Sequence, residues 1–405
     1  MAPKKDNQKT SVKLLYFDKN SGKTINRKKI IGLVILLILL LIIMAMYIVY
    51  ANNEEFRNYV DKNILKKEIN ENNLQTIQIE DYDKSKIFAY SKYIAILKDN
   101  ALKTYNSSAK QEAELKIEIS NPIINTNGKN LIIAEQNSSK IYMITDNTIK
   151  WEKDLEGNIS RINVNANGYS SVILTGTAYK SVIILFDDAG NELFKTYLSS
   201  TIAVDTSISD DNKYLSFAEV NTSGTLIQSN IKVISIDKAK ESREEAIIYT
   251  YNAQLNSLIL NIKYQKTRLI CEYDDSIHMI KDNADTKIAD IDTKTEKITF
   301  SSINLNDYFV KVIEENAGIF STKTTVKIIN STSLKENIYN FDGVTKEMYS
   351  DGEKIALNLG SEIHFINTNG WLIKKYISTQ EVRKIAITNE IAGIVYRDKI
   401  EVIKL

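Results

Sequence analysis

Ile141-Tyr142-Met143-Ile144-Thr145-Asp146, Val182-Ile183-Ile184-Leu185-Phe186-Asp187 and Ile277-His278-Met279-Ile280-Lys281-Asp282 are three copies of one phrase, a short apolar run that stops at an aspartate. The phrase returns as Ile231-Lys232-Val233-Ile234-Ser235-Ile236-Asp237, as Val326-Lys327-Ile328-Ile329-Asn330 and as Ile363-His364-Phe365-Ile366-Asn367. Weaker copies lie at Ala101 to Asn106 and Ile400 to Lys404. Successive copies start 37 to 49 residues apart. β-Branched and aromatic residues ending at Asp or Asn read as strands with turns, and a repeat near forty residues is the length of a four-stranded propeller blade.

A second line precedes each copy: a polar turn, then another apolar strand. It appears as Asn125-Thr126-Asn127-Gly128 before Leu131 to Ala134, as Asn165-Ala166-Asn167-Gly168 before Ser171 to Leu174, as Ser209 to Asn212 before Tyr214 to Phe217, and as Ser350-Asp351-Gly352 before Ile355 to Leu357. Asn-Gly and Asp-Gly tolerate the positive φ that tight hairpins need. The units fall at about 87–118, 119–156, 159–200, 202–252, 255–293, 296–341, 344–378 and 382–405. The last has no room for a fourth strand, whereas Leu74-Gln75-Thr76-Ile77-Gln78-Ile79 is a strand without a unit. Pairing the two would close the ring and remove two unpaired edges. The expected fold is therefore all-β, an eight-bladed β-propeller over 74–405, with seven blades as the alternative count.

The repeat units, with turns such as Asn367-Thr368-Asn369-Gly370-Trp371-Leu372 and Asp187-Asp188-Ala189-Gly190-Asn191-Glu192-Leu193, resemble those of quinoprotein-like (PQQ-type) propellers. The whole plan, a basic tail, one anchor and an exported propeller, resembles the single-pass membrane-anchored propeller proteins of low-GC Gram-positive bacteria, a group without an established activity. Quinoprotein enzymes carry a Gly-Trp docking signature in nearly every blade; here only Trp151 and Trp371 exist and the signature is read as absent. The resemblance implies a scaffold, and no cofactor is expected.

Upstream of the repeats, Ile30 to Ala51 are 22 consecutive residues without a charge. As a helix they reach about 33 Å, enough to cross a hydrocarbon core of roughly 30 Å. Lys4, Lys5, Lys9, Lys13, Lys19, Lys23, Arg27, Lys28 and Lys29 precede the span against only Asp6 and Asp18, so the positive-inside rule puts 1–29 in the cytoplasm and the repeats outside. Tyr47 and Tyr50 suit the far interface. Val49-Tyr50-Ala51 offers small-residue spacing for a signal peptidase, but the apolar run is longer than a signal core, so an uncleaved anchor is expected. Residues 52–73 read as a juxtamembrane stalk, helical over 53–70 with Phe56, Tyr59, Val60, Ile64 and Ile69 on one side. The expected partners are the lipid bilayer, through Ile30 to Ala51, and a protein or cell-envelope polymer.

The 52 Lys and Arg against 51 Asp and Glu, with much of the positive excess in the tail, argue against a nucleic-acid surface. One cysteine, Cys271, excludes an intramolecular disulfide. It is read as a buried structural residue, with no histidine in its strand pair to act as a base. His278 and His364 hold the same place in different units, one blade apart, and read as surface or strand-edge histidines rather than a shared zinc site. Asp187-Asp188, Asp210-Asp211 and Asp274-Asp275 sit at turns and lack calcium-loop spacing. Ser21-Gly22-Lys23-Thr24 ends like a phosphate-binding loop, but Phe17 stands where its first glycine would be. The tyrosines, 22 in number, read mainly as packing between blades. The first strand of each unit should line the central channel with apolar, Ser, Asn and Lys side chains, without an acid and base pair. No catalytic, cofactor or metal residue is assigned. The expected function is a non-catalytic binding or scaffolding module, and an envelope glycan-active enzyme with its site in the channel is the alternative.

Overall fold

The computed structural model describes residues 27–53, 56, 59–65, 67–70, 74–242, 245–253, 257–291, 297–316 and 321–405. Most of the basic tail, including Ser21 to Thr24, lies outside these residues. Two compact units emerge, 1–66 and 67–405.

In the first unit, helix α1 runs Arg27–Asn52. Its stretch Ile31–Asn52 is long and apolar enough to be a membrane anchor or a signal sequence. A π-helical turn follows at Val60–Ile64, and the Tyr50 hydroxyl donates to Asp61 Oδ1 at 2.6 Å. Of the helical reading of 53–70, Glu54, Glu55, Arg57, Asn58 and Lys66 lie outside the described residues, and Glu68–Asn70 is a strand rather than helix.

The second unit is the eight-bladed propeller. Each blade is a meander in which strand a pairs with b, b with c and c with d, all antiparallel. Blade 1 runs from Lys86 to Lys116, blade 2 from Pro122 to Asp154, blade 3 from Asn158 to Leu198, blade 4 from Ile202 to Asn252, blade 5 from Ile259 to Asp290, blade 6 from Ile298 to Asp342, blade 7 from Glu347 to Ile377, and blade 8 from Lys384 to Lys404. Blade 8 supplies only three strands, and Gln75–Gln78 adds the outermost one, antiparallel to Lys399–Lys404 with Gln75 opposite Val402. The free strand and the short last unit thus meet as their lengths demand.

Blade 7 has five strands. Glu68–Asn70 lies parallel to Leu372–Ile377, with Glu68 opposite Lys375, and Lys67 Nζ donates to the Leu372 carbonyl at 2.6 Å. It caps an otherwise open outer edge. Blade 4 carries one helical turn, α2, at Ile236–Glu241, started by Ser235 as N-cap.

Asp and Asn make several of the tight turns. Asp99-Asn100, Asp146-Asn147 and Asp282-Asn283 all have positive φ at both positions, the geometry that two-residue hairpins favour. Apolar packing is divided into eight buried clusters, one per seam between neighbouring blades. The closing seam, blade 8 against blade 1, joins Ile87, Ile94 and Ile96 to Ile391, Val395 and Ile400. Across it Lys384 Nζ donates to the Ile87 carbonyl at 2.9 Å, and Thr388 Oγ1 to the Ser91 carbonyl at 2.7 Å.

Candidate functional site

The a strands of all eight blades surround a central cavity of about 1630 Å³. The innermost strand of each unit lines it, as the repeat predicts. At one mouth stand the a–b hairpins, stitched from blade to blade by polar groups. Asn130 Nδ2 of blade 2 donates to the Ala166 carbonyl of blade 3, Asn165 Nδ2 to the Ser209 carbonyl of blade 4, and Gln265 Nε2 of blade 5 to the Leu305 carbonyl of blade 6. Asn306 N donates to Gly352 O and Glu353 N to Asn389 Oδ1, carrying the belt through blades 7 and 8. Each bond replaces water on a backbone group that the hairpin leaves unpaired.

Half of the ring departs from plain strand geometry. In blades 3 to 6, strand a has an irregular register at the same place, between Ile159 and Arg161, Ala203 and Asp205, Ile259 and Asn261, and Ile298 and Phe300. Pairs a and b of blades 1, 2, 7 and 8 show no such shift. A bulge turns the residues beyond it to a new direction. Here it brings Arg161, Asp205 and Asn261 to equivalent positions in the channel wall. Amides beside the bulges find partners in the preceding blade: Ala203 N donates to Ser181 Oγ and Ile259 N to Ser229 Oγ.

The channel wall is therefore more charged than the a-strand sequences suggest. Asp205 Oδ2 accepts from Ile262 N at 2.9 Å, and burial pushes its pKa up to about 6 against the pull of that amide and of Arg161. Glu272, on strand b of blade 5, accepts from Ser301 Oγ at 2.6 Å and Asn261 Nδ2 at 2.9 Å. Lys263 Nζ donates to the Asn304 carbonyl at 2.7 Å, and burial draws its ammonium down against Asp351 and Asp210. Asp351 is raised by burial in turn. Asp205 escapes the sequence reading because a bulge breaks the alternation by which an inward-facing position is read, Glu272 because it stands on strand b, and Asp351 because it reads as part of a turn. A run of adjacent polar residues in an otherwise alternating a strand, as in Asp205-Thr206-Ser207, is the signal that could have found Asp205.

The residues singled out from sequence behave differently from one another. His278 and His364 stay in blades 5 and 7. His364 is not a surface residue: it is 5% exposed, packed edge-on against Tyr339 and Phe341. Its Nε2 lies 3.2 Å from Glu362 Oε2, whose pKa lies below the ordinary range, so that nitrogen donates and Nδ1 accepts from the Tyr339 hydroxyl at 3.0 Å. Burial lowers the His364 pKa, which suits a neutral ring. Cys271 is fully buried, as expected, but a histidine does stand in its strand pair: His278 is its cross-strand neighbour, and Asp285 Oδ1 lies 2.9 Å from His278 Nδ1. Burial holds the thiol well above its ordinary pKa, and it donates only weakly, to the Leu269 carbonyl at 3.9 Å. That is the opposite of an activated nucleophile.

Of the paired acids, Asp187 Oδ1 accepts from Ala189 N and Asn191 N within its own turn. Asp274 and Asp275 hold Leu258 N and the Ser257 hydroxyl. Asp210 reaches further, accepting Lys266 N of blade 5 at the channel mouth. Among the described residues, no three His, Cys, Asp or Glu side chains gather as a metal centre requires.

Trp151 is buried in the seam of blades 2 and 3 beneath Gly190, whose φ is +84°; a Cβ there would stand 2.7 Å from the ring. A glycine-on-tryptophan contact thus exists at one seam, where the sequence reading had none. At the seam of blades 6 and 7, Gly370 holds the equivalent turn against the backbone of Ile338, and Trp371 is at the surface.

Residues 64–405 match the family model described as a family of unknown function, DUF5711. The chain belongs to this family. No curated protein matches it. Among solved structures, this DUF5711 propeller is similar to BamB from Moraxella catarrhalis, at 11% identity and a TM-score of 0.48 over 82% of this chain and 99% of that one. It is similar also to dihydro-heme d1 dehydrogenase NirN, at 10% identity and 0.49 over 82% and 75%, and to apo AztD from Citrobacter koseri, at 9% and 0.46 over 73% and 86%.

Proposed function

We propose that this DUF5711 member is an uncleaved single-pass protein of the cell membrane in a low-GC Gram-positive bacterium, with 1–29 in the cytoplasm and its propeller outside. There it binds a protein or cell-envelope polymer without turning it over. The tether rests on the apolar run with its basic upstream flank. Binding rests on the channel, where polar groups ring a large cavity and the acids best placed for chemistry are already engaged. Glu272 accepts hydrogen bonds at both oxygens, and Asp205 at one. Hydrogen bonds that fix these oxygens to the wall leave fewer lone pairs to reach a substrate proton, whereas fixed dipoles suit recognition.

A glycan-active enzyme is the second reading. The observation in its favour is that Asp205, whose pKa burial raises, lines the channel one blade away from Glu272, since a pair of carboxyl groups at a cavity wall is the equipment of glycoside hydrolysis. Cross-linking in intact cells, followed by capture of the full-length chain, is expected to recover a defined partner. No partner, together with envelope glycan turnover that Asp205→Asn abolishes, would replace the binding reading with the enzymatic one.

A further inference from the structure

Lys86 and Lys384 begin strand a of blades 1 and 8. They occupy equivalent positions in the repeat. Lys86 stands four residues before Tyr90, which pairs with Tyr93 at the top of its hairpin; Lys384 stands four before Thr388, whose amide closes its hairpin on Ile391. The two strands are neighbours at the closing seam, and both lysines line the channel.

Neither lysine has a carboxylate within ion-pair distance among the described residues, although the chain forms such pairs at many other lysines. The one acceptor on the Lys384 ammonium is the Ile87 carbonyl, so two of its three N–H groups have no protein acceptor among the described residues. Burial lowers the Lys384 pKa, and the like charge of Lys86 lowers it further. Lys86 is exposed at the cavity wall and Lys384 half-buried, so the cost of a cation without a carboxylate partner falls on Lys384.

We propose that Lys86 and Lys384 form an anion subsite at the seam of blades 8 and 1 that takes a phosphate dianion, free or as a monoester. Charge sets the class. Two ammonium groups are balanced by a dianion; a carboxylate or a phosphodiester carries one negative charge and leaves an excess cation. Phosphate with its second pKa near ~6 supplies about −1.5 to −2 at neutral pH. Lysine serves such a group as a mobile point charge. Blade 8 faces blade 4 across an eight-fold ring, so a ligand held by its phosphate on this wall would extend toward Asp205. The inference deepens the binding reading by naming one group the channel holds, and it rests on that reading only for the remainder of the ligand.

The test uses the full-length chain in a phosphate-free maltoside detergent, titrated calorimetrically with inorganic phosphate, glycerol phosphate, glucose 1-phosphate and dimethyl phosphate. The first three should bind saturably, and dimethyl phosphate more weakly. Lys384→Gln and Lys86→Gln should each weaken phosphate binding roughly tenfold, while Lys335→Gln, an exposed lysine of blade 6, leaves it unchanged. Unfolding midpoints of all variants confirm an intact ring, and Lys86→Gln covers the case in which Lys384→Gln fails to fold. Equal affinity for inorganic phosphate and the monoesters marks a free anion as ligand; tighter binding of a monoester marks a larger one. Absence of phosphate binding, or binding that survives both channel variants, overturns the proposal. Lysine-dependent binding without any partner in intact cells would leave the subsite standing and the partner reading fallen.

Discussion

The seam between blades 2 and 3 and the seam between blades 5 and 6 do the same job with different materials. The first holds thirteen buried apolar residues, among them Trp151 and Phe186 with ring centroids 5.6 Å apart. The second holds five, Ile270, Ile277, Ile303, Phe309 and Ile329. Polar groups fill the difference. Gln265 Nε2 donates to the carbonyls of Leu305 and Tyr308, its Oε1 accepts from Ser331 Oγ, and Arg268 binds Asp307 and Thr332. Close packing is non-directional and adds up over area, whereas a buried polar network depends on how many of its members are satisfied, and in this one Arg268 Nε has no partner among the described residues. A ring can therefore afford one polar seam only where its geometry is tightly specified, and this seam adjoins the bulged, charged side of the channel.

The largest expected effect is at the apolar seam. Phe186→Ala removes a ring that is almost fully buried and should cost about 3–5 kcal/mol, read as a shifted urea midpoint of the full-length chain in detergent. Gln265→Leu should cost about 2–3 kcal/mol, although it adds apolar surface, because it takes the side-chain donor from the Leu305 and Tyr308 carbonyls and leaves the Ser331 hydroxyl only the Asp307 carbonyl. If it stabilises the chain instead, the second seam is an apolar seam with incidental polar decoration, and the contrast fails. The smallest effect concerns the channel wall. Folding raises the Asp205 pKa from 3.8 to about 6, so the folded state binds the proton more tightly and this group's contribution to stability falls as pH rises through that interval. Asp205→Asn keeps an oxygen for Ile262 N, and should flatten stability between about pH 4 and 6 while raising it above pH 6.

The blades are legible in the sequence because their strands are bounded by turn residues at a steady interval, and blade 8 because Leu74 to Ile79 had nowhere else to pair. The strand Glu68–Asn70 is not legible: three residues have no period, and the apolar spacing from Phe56 to Ile69 fits a helix equally well. The channel is half legible. Lys86 and Lys384 follow from the repeat, since their strands are regular; Arg161, Asp205 and Asn261 do not, since each follows a bulge that shifts the face by one residue. Cross-strand neighbours such as Cys271 and His278 depend on register, which the hairpin between them sets. His364 is buried because Glu362 and Tyr339 satisfy both its nitrogens, a compensation invisible from one strand.

The claim that the channel is the binding surface is tested most directly by site-specific photo-cross-linking in intact cells. A photoreactive residue replacing Asn304, at the channel wall, is compared with one replacing Lys323 on strand c of blade 6, away from it. The account predicts a discrete cross-linked species from position 304 and none from position 323. Cross-links from position 323 alone would contradict it and move the binding surface to the outside of the ring.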